Sequence, residues 1–301
     1  VRRSGTVATV LALLSLLIPN ALPAQAAIEV ADSSGRRVRL AAPARRIVSL
    51  APGITELLFE IGAGARVVGA DEASDFPPAA KAVPRVGNSM ALNLEQVAAL
   101  RPDLLIAWPH GAAQRQLAGL RSLGIPVFLS EPDSIEAIAG EMRAFGRLTG
   151  NSPAAEERAQ ALLARARKIA GDHAGREPIR VFVQIWDRPL MTVNDRHLIS
   201  NALRLCGARN VFADAARLTP TPNREAVAAL DPPAIVLLAG PAQAAAWVRD
   251  WKALAQLQAV RTGALVAIDP DRLARPTSRL LEGVAAACDA LAAHRAPARP
   301  P

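Results

Sequence analysis

One ten-residue pattern occurs twice in this chain. Asn93-Leu-Glu95-Gln-Val-Ala-Ala-Leu-Arg-Pro102 is matched by Asn223-Arg-Glu225-Ala-Val-Ala-Ala-Leu-Asp-Pro232, and each copy runs into an apolar stretch. A second echo links Gly64-Ala-Arg-Val-Val-Gly-Ala-Asp71 with Gly207-Ala-Arg-Asn-Val-Phe-Ala-Asp214. Between the two halves lies an uninterrupted Ala- and charge-rich stretch from Ser152 to about Ala174, with helical periodicity throughout. Ser152 is placed to cap it, Pro153 suits a first helical turn, and Gly175 and Pro178 end it. A helix of that length reaches ~33 Å, enough to run from one folded unit to another. The repeat and the helix together predict two similar lobes with a cleft between them.

Short apolar runs alternate with helical patterns on both sides of the helix. Ile47–Leu50, Val67–Ala70, Leu104–Trp108 and Val127–Leu129 read as strands in the first half. Ile179–Ile185, Asn210–Phe212, Ala234–Leu238 and Leu265–Ile268 read as strands in the second. Strands that alternate with helices in this way form mainly parallel sheets with helices on their faces, so the fold class is α/β. Ile28–Leu40 alternates around Asp32-Ser33-Ser34-Gly35 and reads as a hairpin. The expected divisions are a signal peptide over 1–26, an N-terminal lobe over 27–151, a spine helix over 152–175, a C-terminal lobe over 176–295 and a disordered tail over 296–301.

The signal peptide rests on Arg2 and Arg3, the uncharged run Val7–Ile18 and the small-x-small ending Ala24-Gln25-Ala26. The apolar run is shorter than the ~20 residues a spanning helix needs. With no Cys beside the cleavage point there is nothing to carry a lipid, so the mature chain is expected free in a periplasm. The formal charge of +8 falls to +6 without Arg2 and Arg3, leaving 33 basic against 27 acidic residues. The excess is scattered arginine with few aromatics, a solvated surface rather than a nucleic-acid footprint. Cys206 and Cys288 are the whole thiol inventory, and an even pair in an oxidising compartment reads as a disulfide. Closing that loop would stabilise the chain by roughly 4 kcal/mol. His110, His173, His197 and His294 have no metal-ligand spacing. No phosphate loop, nucleophile elbow or zinc-protease motif occurs, and Gly62-Ala-Gly64-Ala-Arg-Val-Val-Gly69 has neither the spacing nor the strand-to-helix setting of a dinucleotide loop. The expected class is a binding protein without enzymatic activity, without a resident cofactor or metal, and monomeric.

Several segments carry a family likeness. Arg46-Ile-Val-Ser-Leu-Ala-Pro52-Gly-Ile-Thr-Glu56, Ser74-Asp-Phe76-Pro-Pro78, Asn93-Leu-Glu95 with Arg101-Pro-Asp-Leu-Leu-Ile-Ala-Trp108, and the Cys206/Cys288 pair resemble the periplasmic vitamin B12 (cobalamin)-binding proteins. These belong to the wider helical-spine group of siderophore, haem and cobalamin binders. The resemblance covers nearly the whole mature chain. It implies a ligand captured between the lobes and delivered to the permease and ATPase of an ABC importer. It also implies a disulfide in the C-terminal lobe and docking through one Glu on each lobe, at Glu95 and Glu225. Both positions also suit a Glu in the first turn of a helix capped by Asn93 or Asn223.

Trp108, Asp271 and Arg275 match pocket positions of the family, whereas Ala73, Ser89 and Thr219 stand where the best-matched cobalamin binders have aromatics. Trp186 and Met191 stand near two other pocket positions, and Pro52 and Phe76 lie in the matching segments. A corrin needs flat apolar walls, which Trp108 and Trp186 can supply, and polar partners for its amide rim, which Asp271 and Arg275 can supply. Each also has an ordinary alternative, a core residue for either Trp and a local i, i+4 ion pair for Asp271 with Arg275. Trp247 and Trp251 share a helical face and read as packing. Haem and a ferric siderophore are the competing ligands. Haem binders of the group commonly ligate iron through Tyr, and this chain has no Tyr, which leaves His110. An anionic siderophore would call on Arg85, Arg188 and Arg275.

Overall fold

The computed structural model describes residues 27–88, 90–110, 113–122 and 124–295. The expected signal peptide and tail lie outside them. A hairpin of β1 (Ile28–Ala31) and β2 (Arg37–Leu40) opens the chain, closed by the Asp32–Gly35 turn. The first lobe then follows with β3 (Ile47–Leu50), α1 (Pro52–Glu60), β4 (Val67–Ala70), α2 (Leu94–Ala99), β5 (Leu104–Ala107), α3 (Ala113–Ser122), β6 (Val127–Leu129) and α4 (Ile135–Thr149). After α5 (Ser152–Asp172), the second lobe holds β7 (Ile179–Gln184), β8 (Trp186–Asp187), β9 (Leu190–Met191), α6 (Leu198–Leu203), β10 (Ala208–Asn210) and α7 (Arg224–Leu230). It ends with β11 (Ala234–Leu238), α8 (Pro241–Lys252), α9 (Gln258–Arg261), β12 (Leu265–Ile268), α10 (Pro270–Leu273) and α11 (Leu280–Ala292).

Each lobe is built on a four-stranded, fully parallel sheet, in the order β4-β3-β5-β6 and β10-β7-β11-β12. Both orders place the lobe's second strand outside its first, and the third and fourth on the other side. The sequence repeat is thus a repeat of topology, and it extends to backbone detail. Asn93 and Asn223 cap α2 and α7 by accepting from the Gln96 and Ala226 amides. Arg101 and Asp231, each just past its helix and just before a proline, are the two described non-glycine residues with positive φ. The carbonyls of Leu100 and Leu230 each accept from an arginine at the start of a central strand, Arg46 and Arg180.

The strands are buried because helices cover both sheet faces, and β5 and β11 are apolar and buried along their full length. Trp247 and Trp251 of α8 are core residues, and Trp251 Nε1 donates to Gln184 at the end of β7. The helix α4 is the element that the alternation of short apolar runs did not reveal. Its Ser134 cap, buried Ile135, Ile138, Met142 and Phe145, and terminal Gly150 at φ +72° are an ordinary set of start, face and stop signals.

The spine α5 packs along α4 and also touches α11 and the Arg204–Cys206 turn, so it contacts both lobes. Ala155, Ala159, Leu162, Ala166 and Ile169 form its buried stripe. Gly146 of α4 lets it approach closely, since a Cβ there would stand 2.4 Å from that of Ala155. Ser152 does not cap this helix. Asn151 occupies the cap position, and its side chain donates instead to the Ile61 carbonyl, which ties the start of the spine to α1. Cys206 and Cys288 form a disulfide that joins the end of α6 to α11 inside the second lobe. Among the described residues no helix is long and apolar enough to cross a membrane.

Two buried titratable groups act on stability in opposite directions. Burial pushes the Glu141 carboxyl of α4 up to about 7, although the Ser130 hydroxyl donates to it at 2.6 Å. Burial pushes His197 down to about 4, and its neutral Nδ1 accepts from the Ile199 amide at the start of α6. The folded state holds its Glu141 proton to higher pH than the unfolded chain, so this contribution is present below about pH 4.5 and lost as pH rises through 7. His197 takes a proton near its ordinary 6.5 only when the chain unfolds, so its contribution is lost as pH falls from there towards 4. Glu141→Gln should therefore be more stable than the parent at pH ~8 by up to about 3 kcal/mol, and the advantage should shrink towards pH ~5. Urea unfolding of both proteins at the two pH values checks this. The His197 effect is common to both and cancels, and an advantage that is independent of pH would refute the assignment.

Candidate functional site

In an open parallel sheet the loops that leave the carboxyl ends of the first and third strands turn to opposite faces, and the crevice between them is where ligands bind. Here those crevices lie beyond β3 and β5 in one lobe and beyond β7 and β11 in the other. The segments at these edges meet. Gly53, in the first turn of α1, sits so near the segment after β12 that a Cβ would lie 3.1 Å from Pro276 and 3.5 Å from Thr277. The carboxyl edges of the two sheets thus border one junction between the lobes.

The apolar character of this region is unusual for a solvent-exposed surface. The described large hydrophobic side chains that are exposed are Phe76, Met90, Trp108, Trp186 and Leu218. All five lie in loops or short ribbons that follow the carboxyl ends of parallel strands: Phe76 and Met90 after β4, Trp108 after β5, Trp186 after β7 and Leu218 after β10. Trp108 is 45% exposed and packs edge-on against His110 at 4.9 Å. His110 in turn bonds the Glu131 carboxylate. Trp186 is 52% exposed, and its indole N–H donates to the Arg188 carbonyl. Neither tryptophan is a core residue. Met191 stands directly opposite Trp186 in the β8–β9 ribbon and is half-buried, and Pro52 opens α1. Met90 and Leu218 were missed at the sequence level. The only hint was their place in strand-to-helix loops beside Ser89 and Thr219, two positions already singled out. Ser89 itself lies outside the described residues.

The polar part of the junction is an ion network that crosses from lobe to lobe. Arg275, its side chain only 13% exposed, donates through Nη1 to Glu56 at 2.9 Å and to Asp75 at 2.7 Å. Its Nη2 meets Asp271 at 2.8 Å. Arg279 reaches both oxygens of Glu56, at 3.2 and 3.3 Å, and lays its guanidinium over the Phe76 ring at 4.0 Å. Ser278 donates to Glu60 at 2.8 Å. The i, i+4 pair of Asp271 with Arg275 is therefore present, but as one arm of a larger cluster. Burial pushes the Glu56 carboxyl up while the two arginines pull it down, and the direct bond from Arg275 holds Asp75 below the usual range. Sequence reasoning found Asp271 and Arg275. It could not find Glu56 and Asp75 as their partners, because 219 and 200 residues separate those pairs.

The repeat carboxylates take a different place. Glu95 and Glu225 are both exposed, each in the first turn of its Asn-capped helix, at equivalent positions of the two lobes.

Two parallel sheets joined by a spine, with exposed apolar side chains in the loops at their carboxyl ends, define a two-lobed architecture of the ligand-binding class. The chain matches the family described as periplasmic binding protein over residues 47–272. It is 35% identical over 246 residues to a vitamin B12-binding protein of Vibrio cholerae, which covers 82% of this chain and 88% of the relative. The crystal structure of the periplasmic vitamin B12-binding protein of Vibrio cholerae superposes with a TM-score of 0.76 at 34% identity, covering 84% of this chain and 98% of that one. A periplasmic haem-binding protein from Pseudomonas aeruginosa superposes with a TM-score of 0.71 at 29% identity, covering 86% and 95%. The chain belongs to the periplasmic binding protein family.

The network generates a stability prediction. Glu56 is 3% exposed and holds two arginines, so Glu56→Ala should destabilise the protein by roughly 3 kcal/mol by leaving the largely buried Arg279 without a carboxylate and taking from Arg275 the buried one of its three. A double-mutant cycle with Arg275→Ala should give a coupling of about 1 kcal/mol or more, measured by urea unfolding. Strict additivity of the two substitutions would show that the contact carries no energy.

Proposed function

We propose that this protein captures a cobalamin-type corrinoid in the periplasm, between its two lobes, and hands it to an ABC importer without transforming it. The carrying observation is the set of exposed apolar side chains at the carboxyl edges of both sheets, Phe76, Met90 and Trp108 on one lobe and Trp186 and Leu218 on the other. Exposed apolar area of this kind is costly in water and marks a surface that is covered in use. A broad, mostly apolar macrocycle fits it, with Trp108 against one edge, Trp186 and Met191 near the opposite wall, and Pro52 and Phe76 completing the contact. The likeness to the Vibrio cholerae vitamin B12-binding protein supports the same ligand.

The amide rim of a corrin calls for hydrogen-bond partners. Asp271 is half-exposed and offers a carboxylate to amide N–H groups. Arg275 is engaged by three carboxylates, so its part is to position Asp271 and Asp75 at the junction. Titration of the mature protein with cyanocobalamin, haemin and a ferric siderophore, followed by absorbance and heat, separates the ligands. Cyanocobalamin should bind, and Trp108→Ala should weaken it by about 1–3 kcal/mol, the usual cost of removing a large aromatic anchor. Binding of only haemin or the siderophore would overturn the corrinoid reading and keep the binding-protein class.

Delivery would use Glu95 and Glu225. An importer with two equivalent halves requires like charges at equivalent places on both lobes, and these carboxylates are exposed at such places. Charge complementarity of this sort sets orientation and encounter rate. Reversing both to Arg should leave cyanocobalamin affinity near that of the parent and abolish uptake and stimulation of the importer's ATPase. Uptake that survives the double reversal would reduce the pair to helix-end stabilisers.

A further inference from the structure

We infer that the ion network at the lobe junction is a charge filter that lets the cleft accept ligands without net negative charge and reject anionic ones, with Asp75 and Asp271 as the residues that set this selectivity. The inference rests on the cleft assignment made above and adds the charge class of its ligand.

The first observation is what the junction arginines do. An anionic siderophore or a haem carrying free propionates needs guanidinium donors that are not already paired. Arg275 directs both terminal nitrogens at carboxylates. Arg279 is divided between Glu56 and the face of Phe76. Arg85 is turned to backbone, donating to the Ser74 carbonyl at 2.7 Å and to the Asp71 carbonyl at 3.4 Å. Arg188 keeps a largely exposed side chain, 3.9 Å from Asp187. Three of these four cations are thus already held by the protein.

The second observation is the sign of what remains. Around these groups stand Glu56, Glu60, Asp71, Glu72, Asp75 and Asp271, six carboxylates close to balance with the five cations Arg85, Arg275, Arg279, Arg158 beside Glu60 and Lys81 beside Asp75, so what matters is which of them faces solvent. Glu56 and Asp71 are buried and the Arg275 and Arg279 side chains nearly so, whereas Asp75 and Asp271 have half-exposed side chains that turn carboxylate oxygens to solvent at the junction. A neutral ligand with an amide rim meets these carboxylates as acceptors. An anion meets them as like charges beside low-dielectric apolar walls, where the repulsion is strongest, and such juxtaposition is how a site discriminates against a near-competitor.

Asp75→Asn and Asp75→Lys provide a graded test, with urea unfolding of each variant measured alongside because Asp75 also bonds Arg275 across the junction. Cyanocobalamin serves as the neutral probe, and haemin and a ferric tris-catecholate as the anionic probes. The ratio of anionic to neutral Kd should fall stepwise from the parent through Asn to Lys, by roughly tenfold or more over the series. Asp271→Asn should move the ratio the same way. Salt supplies an independent signature, because raising NaCl from about 50 to about 500 mM should tighten anion binding to the parent, by screening repulsion, and weaken it in Asp75→Lys. A ratio that stays constant across the series, or anion binding to the parent that weakens with salt, would overturn the filter. If cyanocobalamin fails to bind the parent, the corrinoid reading falls, and the filter is then judged on the anionic probes alone, whose affinity must still rise from Asp to Lys.

Discussion

The apolar stripe of α5 is the contact on which the rest of the molecule depends. Ala155, Ala159, Leu162, Ala166 and Ile169 recur at the spacing of one helical face, and that face is buried against α4, α11 and the Arg204–Cys206 turn. Small residues bring the helix close to its neighbours, and a rigid helix of 21 residues carries no internal hinge. Two sheets that would otherwise drift on a linker are set at one spacing, so their carboxyl edges border a common cleft. A second tie sits at that cleft, where Arg275 and Arg279 of one lobe close on Glu56 and Asp75 of the other. Large hinge motion would have to break a packed helix face at one side and a buried ion network at the other, so small adjustments are the natural motions of this architecture.

In the function proposed above, the cleft divides its work by chemistry. Apolar side chains in the strand-end loops supply area and flat faces, and the ion network supplies position and sign. Phe76 belongs to both, since its ring stands exposed beside the cleft while its face holds the Arg279 guanidinium. The adjacent Asp75 bonds Arg275. A ligand that touches Phe76 therefore acts on the residue that helps to join the lobes.

The repeat shows how far a physical pattern persists after sequence has diverged. Helices α2 and α7 share the Asn cap, the Glu in the first turn, the positive-φ residue and the proline that follows, and an arginine bonded to the last carbonyl. Yet the second position is Leu94 in one lobe and Arg224 in the other. Arg224 pairs with Asp250 and covers Trp251, contacts that depend on α8 and have no counterpart in the first lobe's sequence.

Local chemistry determined what the sequence alone could determine here. Strand and helix alternation, the caps at Asn93 and Asn223, the spine helix, the packing role of Trp247 and Trp251 and the two-lobed class all follow from periodicity or near-neighbour hydrogen bonding, which a linear reading contains. The Cys206–Cys288 pairing followed from a count of two. A local reading offered Ser152 as the spine's cap, whereas Asn151 holds that position and its side chain, free of the helix, donates to the Ile61 carbonyl 90 residues away. Tertiary structure alone decided that Trp108 and Trp186 stand exposed, since each had a core residue as its alternative and only what the fold stacks on an indole separates the two. It alone decided that Arg275 is held by Glu56 and Asp75. Burial and ion pairing are properties of residues brought together from distant parts of the chain, and no local pattern records them.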